Sequence, residues 1–152
     1  MEEKDKKIIQ ETTRELLKLL QIEGTFKVVE NEEESLDIIL DTKDSAIVIG
    51  YHGDILESLQ LILSLCIAKR VGRFIRVSVE VGDYKKNRIE WLKGFAEQTK
   101  KEVLEQGREI AIPNLRSWER RVVHLFLQED KEVLSESQGE GRDRVLVIKP
   151  RG

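Results

Sequence analysis

The stretch Ile47-Val-Ile-Gly-Tyr-His-Gly-Asp54 decides the fold, because it places two glycines between a short apolar segment and a strongly apolar helix. Gly50 and Gly53 allow another molecule's backbone to approach closely. Asp54 follows at the position expected for the N-cap of the next helix, whose free N–H groups suit phosphate. Gly-x-x-Gly also arises by chance about 0.7 times in a chain of this length, given glycine at roughly 7% of residues. The neighbouring elements must therefore decide what the loop means.

Length and composition limit the possible classes of protein. The 152 residues suffice for one domain or two small ones, and 36% charged and 5% aromatic residues predict aliphatic cores under a charged surface. The longest mainly apolar run, residues 59–68, is too short to span a bilayer, and residues 1–7 are charged where a signal peptide is apolar. We therefore expect a cytoplasmic protein without membrane insertion. Cys66 is the only cysteine, which excludes an internal disulfide, and we expect a buried reduced thiol.

Positive charge is concentrated in the middle of the chain, although the net charge is −3. Residues 1–50 hold seven Lys/Arg against 13 Asp/Glu, whereas residues 69–121 hold 14 against 8, a local net charge of +6. This distribution is a mild indication of a polyanionic partner. An ordinary solvated surface would explain it equally well.

Hydrophobic periodicity, together with context for the short apolar segment 45–49, predicts the order α-β-β-α-loop-α-β in the first half. The predicted elements are helix 4–22 ended by Gly24, strand 25–30, a turn at 31–33, strand 35–41, a helical segment at 45–49, helix 54–70 and strand 74–81. Both later strands alternate, with Leu36, Ile38 and Leu40 on one face of the first and Ile75, Val77, Val79 and Val81 on one face of the second. One sheet with helices on one face would bury these stripes. Helix 54–70 has little polar surface, so we expect it to be covered on most sides.

The sequence of the second half predicts a helix, a strand, a second helix and a final hairpin. The elements are helix 84–106, strand 108–113, a helix beginning between 114 and 117 and ending near 128, and strands 132–138 and 144–149 paired through Gly139-Glu-Gly141. The apolar faces of the two helices are predicted to be Ile89, Leu92, Ala96, Thr99 and Val103, and Trp118, Val122, Leu125 and Phe126.

The Gly-x-x-Gly loop in this setting resembles the prokaryotic-type KH domain, over about residues 4–82. The resemblance implies that Gly50, Tyr51, His52 and Gly53 clamp the backbone of about four nucleotides of single-stranded nucleic acid. KH loops commonly carry Lys or Arg between the glycines, so phosphate attraction should be weaker here. Tyr51 could stack on a base, and His52 could add charge at low pH. The alternative is a tight helix–helix turn that requires glycine.

A second candidate site is Trp118-Glu-Arg-Arg-Val-Val-His124. Arg120 and His124 are four residues apart and share a helical face; Arg116 joins this line if the helix begins early enough, and Arg121 is the neighbouring basic residue. The surrounding elements resemble the small nucleic-acid-binding domain named for its Arg and His with three residues between, in which this pair holds phosphate and sugar. Arginine suits bidentate phosphate contact. The alternative is a solvated charged face with His124 as a bystander.

The order of the two domains resembles the bacterial Jag family, an α+β architecture with a KH domain at 1–82 and an Arg-x3-His domain at 83–152. Segments similar to that family's are Glu57-Ser-Leu-Gln60, Glu119-Arg-Arg-Val-Val-His124 and Val147-Ile-Lys-Pro150. We expect the usual N-terminal Jag domain to be lacking, so its role cannot be transferred. The resemblance implies an RNA-binding protein linked to cell elongation and division. It also implies single-stranded RNA or ssDNA as a partner, and pairing with a small single-KH protein or as a homodimer.

The sequence leaves three classes of function open. The leading hypothesis is a module that binds single-stranded RNA without a cofactor or metal. The alternative is an interaction scaffold whose KH part mediates dimer or partner association with little RNA binding, which the absence of basic residues at Tyr51-His52 keeps open. An enzyme ranks third, because there is no nucleotide loop ending in Lys-Ser/Thr and no metal-spaced His/Cys set.

Overall fold

The structure is a computed structural model that describes residues 1–32 and 35–152, and it divides into two compact units, Met1–Lys85 and Lys86–Gly152. The first unit contains α1 (Glu3–Leu19), β1 (Gly24–Glu30), β2 (Ser35–Thr42), α2 (Ser45–Ile49), a 3-10 turn (Tyr51–Gly53), α3 (Asp54–Val71) and β3 (Arg76–Val81). This is the order predicted from the sequence. The turn predicted at 31–33 extends outside the described residues.

The three strands of the first unit form one sheet in the order β1-β2-β3. β1 pairs antiparallel with β2, whereas β2 pairs parallel with β3 and places Leu36 opposite Val77. The predicted alternation is confirmed, since both apolar stripes are buried in one core. That core contains Ile9, Leu17, Leu36, Ile38, Leu40, Val48, Leu56, Leu59, Leu63, Ile67, Ile75, Val77, Val79 and Val81.

Helix α1 ends at Leu19, earlier than predicted, because the chain reverses at Gln21 rather than at Gly24. Gln21 adopts a left-handed conformation with φ of 56°. The N–H of Ile22 donates to the carbonyl of Leu17 (2.9 Å), and the N–H of Gln21 donates to that of Lys18 (3.0 Å). This is a Schellman arrangement, in which glycine is the usual left-handed residue. A glutamine at this position does not indicate a helix end from the sequence.

Helix α3 is covered on one side only, so the expectation of coverage on most sides is wrong. Leu56, Leu59, Leu63 and Ile67 are buried in the core. The rest of its surface leaves four large apolar residues exposed, with Leu61 and Leu65 opposite the core and Ile55 and Ile62 at its flanks. Cys66 is half-buried rather than buried.

The second unit holds most of α4 (Tyr84–Gln106), then β4 (Ile110–Ile112), α5 (Ser117–Leu127), β5 (Val133–Gln138), a 3-10 turn (Gly141–Asp143) and β6 (Val145–Pro150). Its sheet has the order β4-β6-β5, with both neighbours antiparallel to β6. The predicted hairpin between the last two strands is thereby confirmed. The inner side of α4 is buried at Leu92, Ala96, Thr99 and Val103, as predicted, whereas Ile89, which was predicted to join them, is half-buried.

The predicted apolar face of α5 is wrong by about one residue. The fully buried positions are Glu119, Val123 and Leu127, while Trp118 and Val122 are only partly buried against the core. Leu125 and Phe126, which were predicted to face inward, are exposed. The cause is Glu119: its carboxylate is drawn into the interior by ionic and hydrogen-bonding partners, and the helix is rotated accordingly.

Candidate nucleic-acid interface

The Gly50–Gly53 loop requires both of its glycines for its own geometry. Gly50, His52 and Gly53 all have positive φ, of 70°, 49° and 78°. A Cβ atom on Gly50 would lie 2.4 Å from Asp54 Oδ1, and one on Gly53 would lie 2.9 Å from Tyr84 Oη. The glycines are thus needed for the turn whether or not nucleic acid binds, and substituting them would test packing as well as binding.

Asp54 is the first residue of α3 rather than its N-cap, which is Gly53 in a left-handed conformation. Asp54 Oδ1 accepts a hydrogen bond from the N–H of Ile55 (2.8 Å) and lies against Gly50. The carboxylate of Asp54 therefore occupies the space next to Gly50 and accepts a hydrogen bond from one of the N–H groups at the helix start. Such N–H groups are what an incoming phosphate would use. The loop already holds an anionic group of its own.

The two residues between the glycines form a small aromatic stack. The rings of Tyr51 and His52 lie 4.0 Å apart between centroids with planes inclined by 19°. Tyr51 is 77% exposed. His52 covers one face of the tyrosine, so the other face remains accessible for a base, and stacking on an aromatic ring contributes about 1–3 kcal/mol per base.

Helix α5 presents three of the predicted residues at successive turns. Arg116 is the N-cap, and its N–H donates to Glu119 Oε2 (3.0 Å). Arg120 is half-buried, and its Nη1 donates to the carbonyl of Leu115 (2.6 Å). This bond uses one of the five N–H donors of the guanidinium and fixes its position across the start of the helix. Arg121 is exposed and lies about 100° around the helix from Arg120.

His124 is exposed and is oriented by a residue that the sequence did not indicate. Its Nδ1 lies 2.7 Å from Ser135 Oγ, in β5. Because one ring nitrogen is engaged by the serine, Nε2 is the nitrogen left to meet a ligand. Nothing in the sequence pattern distinguished Ser135, since it lies 11 residues away and its role depends on how α5 packs on β5.

A buried ion pair sets the position of α5. Glu119 is 1% exposed, and its Oε1 accepts a hydrogen bond from Arg88 Nε (2.7 Å), in α4. Arg88 also lies over the ring of Trp91, with Cζ 4.4 Å from the ring centroid, and Trp91 stacks on Phe95. Removing one partner of such a pair leaves a buried charge uncompensated. The pair thus locks the start of the helix that carries Arg116, Arg120 and His124.

Two further ion pairs fix the strand below His124. Lys100 Nζ donates to Asp130 Oδ2 (2.6 Å), which lowers the pKa of Asp130 and raises that of Lys100. Lys149 Nζ lies 2.7 Å from Glu136 Oε2, and this contact lowers the pKa of the glutamate. The carboxylates are therefore held ionised at the two ends of the segment that positions Ser135.

Residues 1–32 and 35–152 contain no group of three or more His, Cys, Asp or Glu arranged to hold a metal ion. None of the helices described has the length and apolarity needed to cross a membrane.

Each of the two units matches a known family of domains. The family profile described as KhpA/KhpB, KH domain, matches residues 6–81, and the profile of the Arg-x3-His domain matches residues 90–150. The first profile covers half of the chain, and the two matches follow one another in the order of the two units.

Similar curated proteins carry the name RNA-binding protein KhpB. That of Streptococcus pneumoniae serotype 2 is 30% identical over 129 residues, which are 85% of this chain and 39% of that protein. That of Clostridium symbiosum is 33% identical over 116 residues, 76% of this chain and 52% of that protein. That of Bacillus subtilis is 26% identical over 122 residues, 79% of this chain and 59% of that protein. The chain thus spans roughly half of the length of these relatives. It belongs to the Jag family of KhpB-type proteins, in which a KH domain is followed by an Arg-x3-His domain.

Proposed function

We propose that this chain binds single-stranded RNA through the phosphate backbone, with the α5 face of Arg116, Arg120, Arg121 and His124 as the main site. The observation that carries the proposal is that Arg120 and His124 are each held in place by a neighbour while keeping donors for a ligand. Pre-positioned arginine and histidine donors suit phosphate oxygens. The names of the relatives support RNA as the polyanion, and single-stranded DNA offers the same phosphates.

The Gly50–Gly53 loop is proposed as a second, weaker site. Tyr51 offers an exposed ring face for a base, while Asp54 opposes a phosphate next to Gly50. The loop therefore combines stacking of a base on Tyr51 with repulsion of phosphate by Asp54, and the net affinity of this site for RNA should be small. A role in bacterial cell elongation or division is proposed on the family resemblance alone.

A binding titration tests the main site. The whole chain is mixed with a fluorescent 12-nucleotide uridine RNA at several salt concentrations, and Arg120→Ala and His124→Ala are compared with Arg142→Ala, an exposed arginine in the 3-10 turn. Losing Arg120, whose guanidinium is always charged, should flatten the slope of log K against log salt by about 0.7, and losing His124 should lower the affinity. The control should leave the slope unchanged. If all three variants bind like the parent chain, the α5 face is not the site.

A second candidate function is association with another KH-type domain, either a small single-KH protein or a second copy of this chain. The exposed apolar side of α3 favours it, since Leu61 and Leu65 are both 61% exposed one turn apart. Exposed apolar patches of this kind mark interaction sites in soluble proteins.

Sedimentation velocity tests this association. Leu61→Glu should dissociate a dimer or a partner complex, whereas Leu19→Glu, at an 80% exposed apolar position of α1, should not. A monomer that binds no KH-domain partner before substitution would exclude this function.

A further inference from the structure

A groove between α1 and β1 lies on the free edge of the first sheet. It has two stretches of about 640 and 760 Å3, and Arg14 borders both. The strand side of the groove is residues 24–29, and the helix side includes Gln10, Lys18 and Gln21. Neither the α5 face nor the Gly50–Gly53 loop contributes to it.

The strand side offers a row of backbone donors and acceptors. The N–H of Asn31 donates to the carbonyl of Ser35 (2.9 Å), which makes this a hydrogen-bonded pair of the antiparallel ladder. Because such pairs alternate, Thr25, Lys27 and Val29 bond to β2. Phe26 and Val28 therefore direct their N–H and C=O groups away from β2. β1 contains no proline to block this edge.

The groove is positively charged, although the first 50 residues, which supply it, are acidic as a whole. Arg14, Lys18 and Lys27 line it and form no ion pair with any residue that the structure describes. One acidic residue, Glu23, lines it with them. Residues 1–50 as a whole contain seven Lys/Arg and 13 Asp/Glu. The three cations are thus gathered at this edge against the charge of their surroundings.

We propose that the groove docks an extended acidic polypeptide segment, which adds a strand to the sheet beside β1. Strand addition uses main-chain hydrogen bonds for affinity and side chains for specificity. The free groups of Phe26 and Val28 recur every second residue, at the repeat of an extended polypeptide. A nucleic acid strand fits less well, because the one aromatic residue in the lining, Phe26, is half-buried and offers no open stacking face.

A synthetic peptide tests the proposal on the whole chain. The probe is an acetylated, amidated heptapeptide that alternates Glu and Val, and two further versions carry N-methyl groups either on every Glu or on every Val. Binding should slow hydrogen exchange at Phe26, Val28 and Glu30. One N-methylated version should lose binding and the other keep it, because only alternate N–H groups of an added strand face β1.

Charge reversal tests the cations. Arg14→Glu, Lys18→Glu and Lys27→Glu together should weaken the peptide more than about tenfold, since like charges then face each other. A matched control reverses one exposed arginine and two exposed lysines elsewhere in the first unit, Arg76, Lys43 and Lys69. The proposal is overturned if the control weakens binding equally, if both N-methylated peptides behave alike, or if the uridine RNA and not the peptide protects these amides.

Discussion

Asp54 offers the most direct way to alter the Gly50–Gly53 loop without deforming it. Its carboxylate would lie 2.4 Å from a Cβ placed on Gly50, so a phosphate in contact with that glycine must come close to it. Two unit charges about 4 Å apart repel by about 1 kcal/mol in water and by more in a less polar setting. Asp54 is exposed, so the lower value applies. Replacing Asp54 with Asn should therefore tighten RNA binding about fivefold, since about 1.4 kcal/mol corresponds to tenfold.

The same substitution should cost a little stability. An acidic residue in the first turn of a helix stabilises it by about 0.3–1 kcal/mol through the helix dipole. Asp54→Asn should lower the free energy of unfolding by that amount while the affinity for RNA rises. Opposite signs in the two measurements separate an effect on phosphate from a general improvement of the fold.

Fluorescence anisotropy with the 12-nucleotide uridine RNA measures the change in affinity. The gain should shrink as salt rises, because the Debye length falls to about 8 Å at 0.15 M. Glu11→Gln, which removes the same charge from an exposed position of α1, should change affinity much less. An unchanged or weaker affinity for Asp54→Asn at low salt would show that phosphate does not approach Gly50.

Three further substitutions test interactions within each unit by their effect on stability. Glu119→Gln leaves Arg88 buried without a counter-charge and should lower the free energy of unfolding in urea by about 3–5 kcal/mol. Asp130→Asn should cost about 1–2 kcal/mol at neutral pH, since the carboxylate accepts hydrogen bonds from Lys100 and two backbone N–H groups. Because the folded pKa of Asp130 is lowered, this contribution is present above the unfolded value of 3.8 and is lost as pH falls through the folded value, so parent and variant should converge in acid. His52→Gly should raise the melting temperature, because φ at this position is 49°, and a lower melting temperature would mean that the ring stack on Tyr51 and the smaller entropy of the unfolded parent chain outweigh the relief of strain.

The sequence predicted the fold well wherever burial follows apolar periodicity. The stripes from Leu36 to Leu40 and from Ile75 to Val81 are of this kind, whereas the last hairpin was indicated by Gly139 and Gly141. The prediction was wrong where a polar residue occupies a position that is usually filled by an apolar residue or by glycine. Gln21 adopts the left-handed conformation after α1, and Glu119 occupies a core position of α5. The apolar pattern therefore predicted the wrong end for α1 and the wrong inner face for α5.

The candidate site was predictable only in part. A spacing of four residues is enough to place Arg120 and His124 on one helical face. Their anchors, the carbonyl of Leu115 and the hydroxyl of Ser135, depend on the helix start and on the packing of α5 against β5. Spacing and composition carry no signal for those two hydrogen bonds.

Crosslinking tests most directly whether the α5 face is the main RNA site. Purified chain and the uridine RNA are irradiated with ultraviolet light, and the crosslinked peptides are identified by mass spectrometry. We expect crosslinks in the peptides that contain residues 116–124, with weaker ones at Tyr51 and His52 that increase in Asp54→Asn. Crosslinks confined to other segments, or none at a concentration where RNA is bound, would contradict this assignment.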